Sequence, residues 1–272
     1  MDLYSQTSYE LSRRLTQRYS TSFSLSSRLF TSDIQPHIYA IYGLVRIADE
    51  IVDTYRGKDA ATLLDELEHD TERAIRTGYS PNPIVHAFAL SASTYGITTE
   101  LTRPFFASMR VDLAPTTYTE DTYRDYIYGS AEVIGLMCLR VFTRNDTALY
   151  ESLAPGARAL GAAYQKVNFL RDIRDDHKRL GRVYFPGVQF DSFSNQQKQT
   201  IEADIEHDFT AALSAITKLP KGIRPALMMS YEYYYALFSK LKRADVQDLK
   251  TSRIRVANSH KLLLLTRRVV LR

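Results

Sequence analysis

Apolar residues recur along this chain at intervals of three and four, the repeat that turns one face of an α-helix toward a core. Ile38, Ile41, Val45, Ala48 and Val52 make one such stripe behind Pro36, a residue suited to a first helical turn. Leu63, Leu64, Leu67 and Ile75 make another within 59–77, closed by Gly78. The same reading predicts helices over 2–19, 84–95, 104–112, 119–143, 156–179, 194–218, 224–243 and 246–268. The polar turn 19–22 ends the first, and Pro81, Pro83, Pro115, Pro220 and Pro225 punctuate the rest. Thr119, followed by Glu120 and Asp121, reads as the N-cap of 119–143, and 181–190 reads as irregular. There is no internal repeat and no linker, so the pattern predicts one all-α domain spanning 1–272.

Composition sharpens this picture. Only 11 glycines and 9 prolines in 272 residues suit long helices and exclude a turn-rich all-β fold. The single cysteine, Cys138, excludes an intramolecular disulfide and any zinc site of two or more cysteines. With no apolar leader and no run near the ~18–20 residues of a spanning helix, the expected location is cytoplasmic. The net charge of +4 is uneven, with +8 in 240–272 and −4 in the remainder. A basic tail serves phosphate, anionic lipid or nucleic acid, or is a solvated helix. The leucines at 262–265 beside Arg267, Arg268 and Arg272 suggest peripheral membrane contact, with packing into the bundle as the other reading. No nucleic-acid-binding motif accompanies the charge, so no nucleic-acid partner is expected.

Candidate chemistry concentrates in two acidic segments. In Arg46-Ile47-Ala48-Asp49-Glu50-Ile51-Val52-Asp53, Asp49 and Asp53 stand four apart, on one helix face, with Arg46 and Tyr42 one and two turns earlier. Like charges so placed oppose a helix unless a cation sits between them; Mg²⁺, a hard ion that takes one or two carboxylates and phosphate oxygens, suits the spacing. A solvated acidic patch is the plainer explanation. In the second segment Gln165, Asn168, Asp172 and Asp176 share a face built of amides and aspartates. Its plainer explanation is a cluster of ion pairs such as Arg171 with Asp175. Together the two segments are more specific: two Asp pairs facing across a bundle could hold several Mg²⁺ ions and, through them, a diphosphate leaving group.

These residues resemble the squalene/phytoene synthase family. The resemblance rests on Arg46 to Asp53, on Asn168 to Asp176, on Gly181-Arg182-Val183-Tyr184-Phe185-Pro186, and on the early Ser20-Thr21-Ser22-Phe23. It also rests on Tyr126-Ile127-Tyr128-Gly129-Ser130-Ala131-Glu132-Val133-Ile134-Gly135, and covers about 5–265. It implies the all-α isoprenoid synthase bundle with a central apolar cavity. It further implies condensation of two identical prenyl diphosphates head to head, through a cyclopropylcarbinyl diphosphate. Asp49, Asp53, Asp172 and Asp176 would hold Mg²⁺ (or Mn²⁺ in its place) with support from Asn168. Arg46, Arg171 and Arg255 would meet diphosphate beside Tyr42, and Ser20, Ser22 and Phe23 would close a flap over it. Tyr126, Gln165 and Tyr234 would line the reacting centre. Two departures stand out: Glu132 where the family usually has Gly, which questions the pocket wall, and Asp175-Asp176 where relatives often have Gly-Glu-Asp.

The chain lacks a Gly-x-Gly-x-x-Gly and the terminal membrane helix of many reducing members, so NADPH is not expected. The expected product is phytoene from two geranylgeranyl diphosphates, with C30 condensation of farnesyl diphosphate as the alternative. Small side chains at Leu25-Ser26-Ser27 lean toward the longer chain, with Ser27 as the expected tunnel residue. A chain-elongating prenyltransferase or cyclase, with a denser Asp-Asp-x-x-Asp, and a non-enzymatic assembly factor are the competing readings.

Overall fold

The computed structural model describes residues 1–55, 57–114 and 117–256. Every regular element among them is helical, as the periodicity predicts: α1 (Leu3–Tyr19), α2 (Thr21–Ser27), α3 (Gln35–Glu50), α4 (Ala60–Thr77), α5 (Pro83–Tyr95), α6 (Thr99–Val111), α7 (Glu120–Ile127), α8 (Val133–Thr143), α9 (Thr147–Leu180), α10 (Asn195–Ile216), α11 (Arg224–Arg243) and α12 (Val246–Thr251). Caps set many of the starts. Asp2, Ser20, Asn82, Thr119, Asp146, Ser194 and Asp245 each accept a backbone N–H of the turn they open.

Several elements differ from the sequence reading, among them α6, which starts at Thr99 rather than 104 and carries Pro104 inside it. The turn at 19–22 is the start of a further helix, because the Ser20 hydroxyl caps it by accepting from Phe23 N at 3.2 Å. Helix α9 begins nine residues earlier than expected and runs through Pro155; Asp146 caps it, and packing along α10 outweighs the one backbone bond a proline removes. The predicted single helix 119–143 contains a π-turn, Tyr128–Glu132, and α3 passes into another, Ile51–Tyr55. Such turns widen a helix by one residue and re-aim the side chains that follow. Of the terminal segment, 246–251 is helical and 252–256 is not. The leucines at 262–265, Lys261, Arg267, Arg268 and Arg272 lie outside the described residues, as do Pro115 and the expected tail helix beyond 256.

Two apolar clusters build the bundle. One joins α3, α5, α6 and α8 around Phe88, Phe105, Phe106 and Ile41; the other joins α7, α9, α10 and α11 around Phe169, Phe209 and Phe238. They meet where α9 crosses the π-turn at 128–132. A Cβ on Gly161 would fall 2.5 Å from the Ala131 carbonyl oxygen, so only glycine allows this approach. Between the clusters the bundle encloses a cavity.

Candidate active site

The cavity measures about 730 Å³ and draws its walls from α2, α3, α6, α7, α9 and α11. Of the residues singled out in the sequence, Ser20, Ser22, Phe23, Tyr42, Arg46, Asp49, Asp53, Tyr126, Gln165, Asn168, Arg171, Asp172, Asp176 and Tyr234 all line it. Arg255 does not. Its side chain is exposed, and only its carbonyl is engaged, accepting from Lys240 Nζ at 3.1 Å. Arg253 lines the cavity instead, pairing with both oxygens of Asp172 at 2.6 and 3.1 Å. Residues 252–256 form no helix, so no period in the sequence distinguished the two arginines.

The two acidic segments face each other. Asp49 is pushed up to about 6 by burial and by Asp53. Asp176 is pushed up to about 7 by burial, by Asp172 on its own helix and by Asp53 across the cavity. Crowded carboxylates of this kind favour a counter-cation. Arginines serve partly: Arg46 pairs with Asp49 and Glu50 while lying 4.3 Å over the Tyr19 ring, and Arg171 pairs with Asp172, its Nε at 2.9 Å. The Arg171–Asp175 pair of the plainer explanation does not form; Asp175 takes Arg174. Mg²⁺ fits what remains. Asn168 presents a buried Oδ1 with no hydrogen-bond partner among four cavity aspartates, an all-oxygen set suited to a hard ion. No three acids or histidines among the described residues close into a ready-made cage, so other oxygens would complete the coordination.

Aromatic faces line the interior. Phe169 and Tyr184 stack at 4.0 Å with their planes 5° apart, Tyr126 lies 5.4 Å from Tyr184, and Tyr164 stacks on Tyr234 at 3.9 Å. Phe23 lies on Tyr42 at 5.1 Å, which ties α2 over the cavity. Burial pushes Tyr42 up to about 12 and raises Tyr126, Tyr184 and Tyr234, so these rings stay neutral and offer π-faces to a cation.

Sequence reasoning missed the support behind Tyr126. Its hydroxyl donates to Asp112 at 2.7 Å, and Arg182 holds the other oxygen of Asp112 at 2.9 Å and the carbonyls of Asp112 and Ala114 at 2.8 and 2.7 Å. Burial pushes Asp112 up to about 7. Arg182 and Tyr184 stood inside the quoted Gly-Arg-Val-Tyr-Phe-Pro run, but Asp112, alone at a helix end, carried no signal. Glu132 turns out to face away from the cavity, accepting from Arg158 Nε, so the departure from glycine leaves the pocket wall intact.

A second, apolar chamber of about 240 Å³ adjoins the first, reaching Phe30, Cys138, Phe142, Ala215 and Leu219. The chambers share Phe23, Ser26, Ser130, Ile134, Tyr164, Gln165 and Ser230. Ser26, not the expected Ser27, therefore stands at the junction; Ser27 is packed in the core and lines neither chamber. Gln165 sits at the same junction, its Nε2 3.5 Å from Ser130 Oγ.

Residues 16–260 match the family model described as squalene/phytoene synthase. The chain is 32% identical over 193 residues to a phytoene synthase of Arthrospira platensis, covering 66% of this chain and 61% of that protein. It is also 32% identical over 205 residues to a 15-cis-phytoene synthase of a Synechocystis strain, covering 71% and 60%. These matches span about three-fifths of the relatives' own length. A crystal structure of a dehydrosqualene synthase superposes with a TM-score of 0.82 at 20% identity, covering 98% of this chain and 97% of that one, which shows a shared fold.

Proposed function

Since the chain belongs to the squalene/phytoene synthase family, we propose that it joins two geranylgeranyl diphosphates head to head into phytoene, using Mg²⁺ and no NADPH. The observation that carries this reading is two facing Asp pairs at the polar end of a cavity whose other end is apolar. The polar end suits diphosphate and the apolar end a prenyl tail. The small Ser26 at the junction and the phytoene synthases among the relatives favour the C20 substrate.

Each group then has a task. Asp49, Asp53, Asp172, Asp176 and Asn168 would hold Mg²⁺, whose contribution is to neutralise charge on a departing diphosphate. Arg46, Arg171 and Arg253 turn from their carboxylates toward the diphosphate oxygens. Phe23 and Tyr42 cover the polar end, and the apolar walls keep water from the allylic cation left behind. Tyr126, Phe169, Tyr184 and Tyr234 present faces to that cation and to the one that follows ionisation of the cyclopropyl diphosphate. Arg182 and Asp112 fix the Tyr126 ring by holding its hydroxyl.

The test is incubation of purified protein with Mg²⁺ and either the C20 or the C15 diphosphate, without NADPH, followed by hydrocarbon analysis. A C40 triene core from the C20 substrate is expected. Turnover of the C15 substrate alone would move the assignment to the C30 reaction, and linear elongation products would reject head-to-head chemistry.

A further inference from the structure

Helix α1 is turned the opposite way from a normal surface helix. Its buried face is Ser5, Ser8, Ser12 and Thr16 with Tyr9, while Leu3 and Leu11 are 79% and 42% exposed and Leu15 is half-buried. The buried hydroxyls are satisfied within the helix: Ser8 donates to the Tyr4 carbonyl, Ser12 to Ser8 and Thr16 to Ser12, at 2.8–3.0 Å. The bundle thus takes the small side chains of α1 and leaves its leucines outward.

The outward face is not merely apolar. Arg14 and Arg18, both exposed, follow Leu11 and Leu15 by three residues, so cations and leucines alternate along one side of the helix. Glu10 flanks this row on α1 itself, and Glu50, paired with Arg46, lines the groove at its end; Asp2 is engaged as the N-cap. The face ends at Tyr19, 46% exposed, across an outer groove of about 210 Å³ from Ile51 and Tyr55, the latter 52% exposed. Tyr19 and Arg46 line both this groove and the catalytic cavity, so the outward face is continuous with the mouth of the site.

We propose that this face of α1, with Tyr19 and Tyr55 at its end, docks the protein on an anionic lipid bilayer. Arginines interleaved with leucines, and tyrosines at the margin, match an interface that is apolar within and negatively charged at its surface. The position beside the cavity lets a long hydrocarbon pass into lipid without crossing water. That advantage rests on the function proposed above, but the surface itself does not.

Flotation of the full chain with vesicles of phosphatidylcholine, alone or mixed with phosphatidylglycerol, at low and high salt, tests the proposal. Binding to the anionic vesicles that weakens with salt is expected. Arg14→Gln with Arg18→Gln should lower it about 25-fold, about fivefold for each arginine. Leu11→Gln with Leu15→Gln should lower it about tenfold or more. Both pairs should keep the wild-type circular dichroism and turnover in detergent. Absence of wild-type flotation, or equal flotation of wild type and folded variants, would overturn the proposal. So would a dimer in the ultracentrifuge that the leucine variants dissolve, since a second copy would then own the face. Flotation without prenyl turnover would remove the proposed reaction and leave the docking surface standing; turnover without flotation would do the reverse.

Discussion

Burial and neighbouring carboxylates push Asp176 up to about 7 and Asp49 up to about 6, against an ordinary 3.8. Between about pH 4 and pH 7 the native protein therefore holds more protons at these sites than the unfolded chain. Their contribution to stability is full at the acid end of that window and lost as pH rises through the native values. The ligand-free protein should thus lose thermal stability from about pH 4 to pH 7. Asp176→Asn should flatten that slope and raise Tm at pH 8 by about 2–4 °C while lowering turnover about 10³-fold. Scanning calorimetry across pH checks the first, and product assay the second. Unchanged turnover would remove Asp176 from the site. Small residues of α2 divide along similar lines. Ser26→Phe should keep the fold and suppress use of the C20 substrate, because a ring would stand between the chambers. Ser27→Phe should cost about 1–3 kcal/mol by overpacking, whatever the substrate. Urea melts and paired C15/C20 assays distinguish the two. The acidic positions were legible because their spacing is local. Asp112, the choice between Arg253 and Arg255 and that between Ser26 and Ser27 were not, since each depends on partners far along the chain.

Helix identities were legible wherever apolar residues kept a steady period, and α4, α5, α10 and α11 start and stop within a residue or two of expectation. Misreadings came from residues whose local preference loses to packing. Pro155 is held inside α9 by α10, and the π-turns at 51–55 and 128–132 leave no mark that separates them from ordinary helix. Both π-turns lie at the cavity. One holds Asp53, and the other lets Gly129 and Gly161 bring three helices together. Gly161→Ala should force α9 off the 128–132 turn, destabilise the protein by roughly 1–3 kcal/mol and lower activity more than stability, because Gln165 and Asn168 ride on the displaced segment. Denaturant melts together with kcat and KM would show it; a full-strength kcat in the folded variant would contradict this account. Arg182 works at the same scale. Removing it as Arg182→Gln strands Asp112 in an apolar setting, with an expected loss of about 3–5 kcal/mol; Arg182→Gln combined with Asp112→Asn should recover part of it.

Across the whole molecule, all-α architecture and a polar-to-apolar cavity follow from helical stripes and paired acids. The division into two chambers and the outward leucines of α1 do not, because they are set by how the helices meet. The strap 252–256 shows what that long-range organisation implies for ligand uptake. Arg253 grips both oxygens of Asp172, and Arg174 anchors the strap by donating to the Thr251 carbonyl at 2.6 Å. The Asp172 carboxylate is therefore already neutralised, and a cation arriving alone must displace a guanidinium whose neighbouring carboxylate, Asp175, is held by Arg174. A diphosphate arriving with the cation gives that guanidinium a new partner. Linkage makes the two ligands mutually dependent, each tightening the other by the same factor. Calorimetric titration should find Mg²⁺ bound at least about tenfold more tightly with inorganic diphosphate present than without. In Arg253→Gln the difference should shrink from both directions, as the lone cation binds better and the pair binds worse. The arginine latch would then act as a coincidence detector, leaving the site charged for reaction only when both halves of its ligand are present.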